Sequence, residues 1–201
     1  MQRKTIVILV IVGVILFIGL SFVAWATGMY NSLVKMDESV NQAWAQVQNQ
    51  YQRRLDLIPN LIETVKGYAA HESQVFTDVA EARASVGKLQ MTPEILNNPQ
   101  TFQRFQEAQA GLTSALSRLL AVAENYPQLK ANENFLQLQS QLEGTENRIA
   151  TERRRFNEVV QDYNVRVRSF PTSLMAGLTG FGQKAYFQAE PGAEKVPKVT
   201  F

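Results

Sequence analysis

From Ile6 to Trp25 the chain reads IVILVIVGVILFIGLSFVAW, a run without one charged side chain. In a helix it extends about 30 Å, the hydrocarbon thickness of a bilayer. Hydrocarbon offers the backbone no hydrogen-bond partners, so a chain that crosses it alone must be helical. Ile6, Val12, Leu16, Leu20 and Trp25 thus mark a transmembrane helix, with Trp25 and Tyr30 where interfacial aromatics belong. A cleaved signal peptide is the competing reading, because Arg3 and Lys4 precede the run and Ala24-Trp25-Ala26 has the form of a cleavage site. The run is longer than the roughly 7–15 apolar residues of a signal peptide, so retention as an anchor is expected. Arg3 and Lys4 precede the span and Lys35 is the nearest cation after it; this bias points to N-inside, with residues 28 onward outside the cytoplasm.

Beyond the span the chain has the pattern of helix. Tyr30, Leu33, Val40, Trp44, Val47, Tyr51, Ile58, Leu61, Val65 and Tyr68 fall on a series of three- and four-residue steps in which Asp37 and Arg54 hold the two remaining slots, a heptad seam of coiled-coil type. Pro59 lacks an amide hydrogen and crowds the carbonyl of Leu55, which predicts a kink or a restart of the helix there. The pattern then continues through Val75, Val79, Ala82 and Val86 to about Leu89, and the two prolines and Asn pair of residues 91–99 form the main loop. A second helix is expected over about 100–126, carried by Phe102, Phe105, Leu112, Leu116, Leu119 and Ala123. A third begins near Gln128 and runs through Phe135, Leu138, Leu142, Ile149, Phe156, Val159, Tyr163 and Val167 until Pro171 stops it. The apolar, glycine-rich stretch after Ser169 adds a short fourth helix.

The expected fold is all-α, a transmembrane helix followed by an antiparallel long-helix bundle of four-helix type, since each amphipathic segment needs another to cover its stripe. Residues 1–27 form the N-terminal tail and anchor, 28–188 the bundle, and 189–201 a C-terminal tail. Four charges occupy slots of the apolar seams: Asp37, Arg54, Glu152 and Arg166. A charge on a seam must be paired or must face water, so these residues are candidates for structural ion pairing within the monomer or for an interface.

Familiar chemistry is hard to assemble from the remainder. His71 is the single histidine and cysteine is absent, which excludes thiolate metal sites, disulfides and the paired Glu-x-x-His motifs of di-iron bundles. Gly177, Gly180 and Gly182 follow no strand and precede no Lys-Ser or Lys-Thr pair, so a phosphate loop is not indicated. Glu143 and Glu146 lie one turn apart beside Arg148 and could in principle pair for acid-base work or bind a hard cation, but a solvated helix face with an ion pair is the better account of them. Arg153-Arg154-Arg155 is diluted by Glu152 and Glu158. With 20 Lys and Arg against 18 Asp and Glu, the net charge of +2 is too small for nucleic-acid binding. No enzymatic activity, catalytic residue, cofactor or metal is expected.

Several stretches resemble the LemA family of bacterial membrane proteins: residues 30–38 (YNSLVKMDE), 43–47 (AWAQV), 53–61 (RRLDLIPNL), 64–68 (TVKGY), 124–135 (ENYPQLKANENF) and 142–150 (LEGTENRIA), with Tyr163-Asn164 and Phe170-Pro171 closing the bundle. The resemblance covers nearly all of residues 28–187. It implies a single-span protein of the bacterial cytoplasmic membrane with a helical domain and no established activity. The family's association with magnetosome membranes implies a part in organising membranes, and its company with membrane metalloproteases and TPM-domain proteins implies a scaffold or adaptor. The function expected is a non-enzymatic membrane-anchored scaffold or interaction module. Its partners would be the lipid bilayer, a second copy as a homo-oligomer, or a membrane protein such as a metalloprotease or TPM-domain protein. The alternative is a membrane-remodelling or envelope-organising protein acting directly on lipid through the apolar segment from Phe170 to Phe187.

Overall fold

The computed structural model describes residues 2–89 and 92–188, and among them there is no strand. The expected C-terminal tail, 189–201, lies outside the described residues. The helices are α1 (Gln2–Lys66), α2 (Ser73–Gly87), α3 (Pro99–Glu124), a single turn α4 (Pro127–Lys130), α5 (Glu133–Arg168) and α6 (Thr172–Thr179), with a short 3-10 helix at Pro93–Asn97. Helix α1 carries Pro59 in its interior and continues to Lys66, so no new helix starts at the proline.

Two expected helices are divided. Apolar spacing carries the segment beyond Pro59 on to about Leu89, but α1 ends at Lys66 and the chain reverses over residues 67–72 before α2 begins. Tyr68 and Ala69 both donate backbone hydrogen bonds to the Val65 carbonyl, and Glu72 donates to Ala69, so a chain of tight turns replaces the helical ladder. His71 sits exposed in this turn rather than on a helix. The third helix likewise starts at Glu133 rather than Gln128. The Asn132 side chain accepts from the Phe135 amide at 3.0 Å, a cap that ends α4's turn and opens α5. At the start of α3, Asn98 accepts from the amides of Gln100 and Thr101 at 3.0 and 3.1 Å, while Pro99 fills a first-turn position where no amide is needed.

The described residues separate into two compact units, the first made of residues 2–40 and 161–183, the second of 41–89, 92–160 and 184–188. In the first unit no residue of the span's apolar window is buried. Val12 is 46 % exposed and Leu20 71 %, with Ile6, Leu16 and Trp25 between them. An uncovered apolar surface of that extent is stable in lipid and not in water. Beyond the span the buried residues of this unit are Met29, Leu33, Val40, Tyr163, Asn164, Val167, Thr172 and Ala176. Gly180 closes α6 in the left-handed region, φ 81°, and the following Phe181 amide bonds back to the Ala176 carbonyl at 3.0 Å.

In the second unit, part of the core is Leu55, Ile58, Leu61 and Val65 of α1 packed with Phe76, Val79 and Val86 of α2, Leu112 to Ala123 of α3, and Phe135 and Leu142 of α5. Arg83 of α2 reaches the Leu55 carbonyl, as expected when α2 folds back along α1. An aromatic cluster lies farther along the unit. Trp44 is fully buried, with the rings of Phe102, Phe105, Phe156 and Phe187 at 5.9, 5.4, 5.7 and 6.1 Å. Phe187 belongs to an extended strap rather than a helix. Its backbone exchanges two hydrogen bonds of 2.9 Å with the Asn157 side chain, while Ala185 donates to Leu96 O and Gln188 to Gln106 Oε1.

Burying a phenyl ring in such a cluster stabilises by transfer from water and by ring-ring geometry. Phe102→Ala is expected to cost about 3–5 kcal/mol, against about 0.5 kcal/mol or less for Leu136→Ala on an exposed face of α5. Urea unfolding of the full chain in detergent, followed by tryptophan fluorescence, measures both; equal costs would show that the cluster does not hold the unit.

Candidate functional site

Among its described residues the second unit buries one charged residue completely. Arg54, on the same seam of α1 as Tyr51 and Ile58, is 1 % exposed. Desolvating a guanidinium is expensive unless nearly every donor finds an acceptor. Nη1 donates to Glu146 Oε1 of α5 at 2.9 Å and to Thr113 Oγ1 of α3 at 2.9 Å, and Nη2 donates to Gln109 Oε1 of α3. Thr113 can accept because its own proton goes to the Gln109 carbonyl, 3.1 Å away. The guanidinium carbon stands 5.2 Å from the centre of the Tyr51 ring, a cation–π distance. Arg54 Nε and Gln109 Nε2 are buried without an acceptor among the described residues. Donors therefore outnumber acceptors at this point of the bundle.

Beside it opens a cleft of about 250 Å³, lined by Tyr51, Arg54, Gln106, Glu107, Glu146 and Arg153 among others. Gln109 and Thr113 face it from one turn of α3, and Glu146, Ile149 and Arg153 from one face of α5, at the spacing that stacks side chains along a helix. The lining carries both signs of charge and several side-chain amides. It can hold a polar segment by hydrogen bonds and ion pairs, and it contains no nucleophile paired with a base.

The other seam charges are placed differently. Asp37 is half-buried in the first unit and hydrogen-bonds the buried Tyr163 hydroxyl; burial first, then the Asp37 charge and this bond, push the Tyr163 phenol well above its usual range. Glu152 is half-buried and pairs with Arg155 one turn on, at 3.3 Å. Arg166 is exposed and does not lie on a buried seam. The inward stripe of α5 after Phe156 is Val160, Tyr163 and Val167, whereas the sequence pattern admits Val159 equally well; choosing a step of three over one of four moves Arg166 onto the wrong face. Glu143 accepts from Gln139 on its own helix, and only Glu146 of that pair enters the site. Gln109 escapes the sequence reading, although it fills the slot between Phe105 and Leu112 and is a polar residue on a seam.

A model of the LemA family matches residues 43–201. The chain belongs to the LemA family. Among its relatives, magnetosome protein MamQ 2 of Paramagnetospirillum magneticum is 27% identical over 202 residues, covering 90% of this chain and 72% of the relative. Magnetosome protein MamQ of Magnetospirillum gryphiswaldense is 27% identical over 206 residues, covering 90% and 73%. Protein LemA of Metamycoplasma hominis is 22% identical over 175 residues, covering 87% and 75%. Family membership and the apolar N-terminal helix make this a single-pass inner-membrane protein, helical and non-catalytic.

If Glu146 balances Arg54, removing its charge is harmful only while the guanidinium is there. Glu146→Gln should cost about 1–2 kcal/mol in the native background, the difference between a charge-assisted and a neutral hydrogen bond, and almost nothing beside Arg54→Met. Melting temperatures of the four proteins of this double-mutant cycle decide it; the same loss in both backgrounds would contradict the pair.

Proposed function

We propose that this LemA-family protein is a membrane-tethered, non-enzymatic adaptor that receives a polypeptide partner at the Arg54 cleft. The observation that carries the reading is the mixed-charge lining around a buried arginine whose donors are not all satisfied. A structural ion pair alone does not call for an open cleft with Glu107 and Arg153 on its walls. Charges of both signs at a rim favour selection of a complementary surface over raw affinity. The partner is a second copy of the chain or a membrane protein held in the same bilayer, of which a metalloprotease or a TPM-domain protein are examples. Anchoring both molecules in one membrane raises their effective concentration, so a small cleft suffices. The bundle stands outside the cytoplasm, on the bias of Arg3 and Lys4 over Lys35. The relatives named as magnetosome proteins agree with work at a membrane. Direct action on lipid, in remodelling a membrane or organising the envelope, is the second reading, favoured by the exposed apolar side chains of α6.

Photo-crosslinking in native membranes tests the adaptor reading. A benzophenone side chain replacing exposed Gln103 at the cleft should give a discrete adduct with a polypeptide, identified by mass spectrometry, and Glu107→Lys should abolish it. An adduct pattern indistinguishable from that of the same group at Leu136 would remove the proposal.

A further inference from the structure

The first unit exposes an apolar face on the shortest of its helices. Leu174 and Leu178, one turn apart on α6, are 63 % and 85 % exposed, and Phe170, a further four residues back, is 80 % exposed. On the opposite side of the helix Thr172 and Ala176 are buried. No Asp, Glu, Lys or Arg occurs from Ser169 to Gln183. An uncharged face of this kind in water would be a liability in a monomer.

Its position within the unit says what covers it. Phe181, directly after the Gly180 cap of α6, packs edge-on against Tyr30 of α1, with ring centroids 5.9 Å apart. Tyr30 lies five residues beyond Trp25, the last residue of the uncharged run, or about 7–8 Å of helix rise. The end of α6 is therefore pinned at the level where α1 leaves the hydrocarbon, within the roughly 5–10 Å over which interfacial helices bury their apolar faces. Trp25 and Tyr30, 49 % and 41 % exposed, are the aromatics that such a level prefers. Arg166 and Arg168 stand exposed at the end of α5, just before Phe170, and Lys35 stands exposed on α1. Cations flanking an apolar face at this depth meet lipid phosphates while the face meets acyl chains.

We propose that α6 is an interfacial helix, seated in the headgroup layer of the protein's own membrane with Phe170, Leu174 and Leu178 turned into lipid. The chain then touches the bilayer twice, through the span and through this helix. Arg166 becomes a headgroup contact rather than a member of a seam. The contact needs the anchor, and it needs neither a partner at the cleft nor any remodelling of the membrane.

The absence of cysteine from the sequence makes a clean test possible, because an introduced thiol is unique. Full-length protein with Leu178→Cys, carrying an NBD label, is reconstituted in phosphatidylethanolamine–phosphatidylglycerol vesicles, alongside Leu16→Cys in the span and Leu136→Cys on α5. The expected result is a blue-shifted NBD emission at 178, quenched by brominated lipid and shielded from aqueous iodide, as at 16, whereas 136 is quenched by iodide alone. Iodide quenching at 178 equal to that at 136 would overturn the proposal. So would shielding from iodide without quenching by brominated lipid, which would mean that a second copy covers the face. Quenching at 16 in the same preparation shows that the anchor is inserted, so failure at 178 is distinguishable from failure of the span.

Discussion

Burial of Trp44 among four phenylalanines is the interaction on which the second unit depends. Phe102 and Phe105 come from α3, Phe156 from α5 and Phe187 from the strap, so one indole fixes three elements against α1. The cluster also sets the register of the polar site. Phe105 meets Tyr51 edge-on at 5.3 Å, and Tyr51 presents its face to Arg54 one turn further along α1. Slip α3 along α1 by a helical turn and Gln109 and Thr113 no longer face the guanidinium. The apolar contacts supply the favourable energy; the polar site is tolerated because they hold its members in place.

Much of this architecture is legible in the residues, for physical reasons that also explain the gaps. The span is set by length and lack of charge alone, and the inward stripe of α1 from Leu33 to Val65 follows from a three-four spacing interrupted only by the charges Asp37 and Arg54. Where that spacing admits two continuations it misleads, as at Val159 and Val160, and Arg166 is carried to the wrong face with it. Helix ends are less readable. Gly67 and Asn132 are ordinary signals of a stop and a start, but apolar periodicity continuing on both sides conceals them. Arg54 is visible as a charge out of place on a seam; Gln109, Thr113 and Glu146 are not visible as its partners, because spacing along one helix says nothing about which residues of another it meets. Phe187 is unreadable for a related reason: a lone aromatic beyond the last helix has no period.

The LemA assignment and the apolar N-terminal helix give a single-pass, non-catalytic membrane protein, and the adaptor role proposed for it is one of binding. Its polar groups are partly arranged to satisfy one another: Arg54 is held by Glu146, Gln109 and Thr113 while its Nε is left without an acceptor among the described residues, and Asp37 lies by Tyr163. What is left open to the surroundings is of two kinds, an amphoteric cleft in one unit and an apolar helix face beside the anchor in the other. In the two proposals above, the first receives a polypeptide and the second meets lipid.

Both uses require that the apolar run stays attached, and the proposed function further places the bundle on the outer side of the membrane. Spheroplasts carrying the single-cysteine variant Leu136→Cys, treated with a membrane-impermeant maleimide, washed in alkaline carbonate and analysed by intact mass, test that most directly. The expected result is a labelled chain that resists carbonate and retains residues 6–25. A chain cleaved after Ala26 and released by carbonate, or one labelled only after lysis, would contradict it.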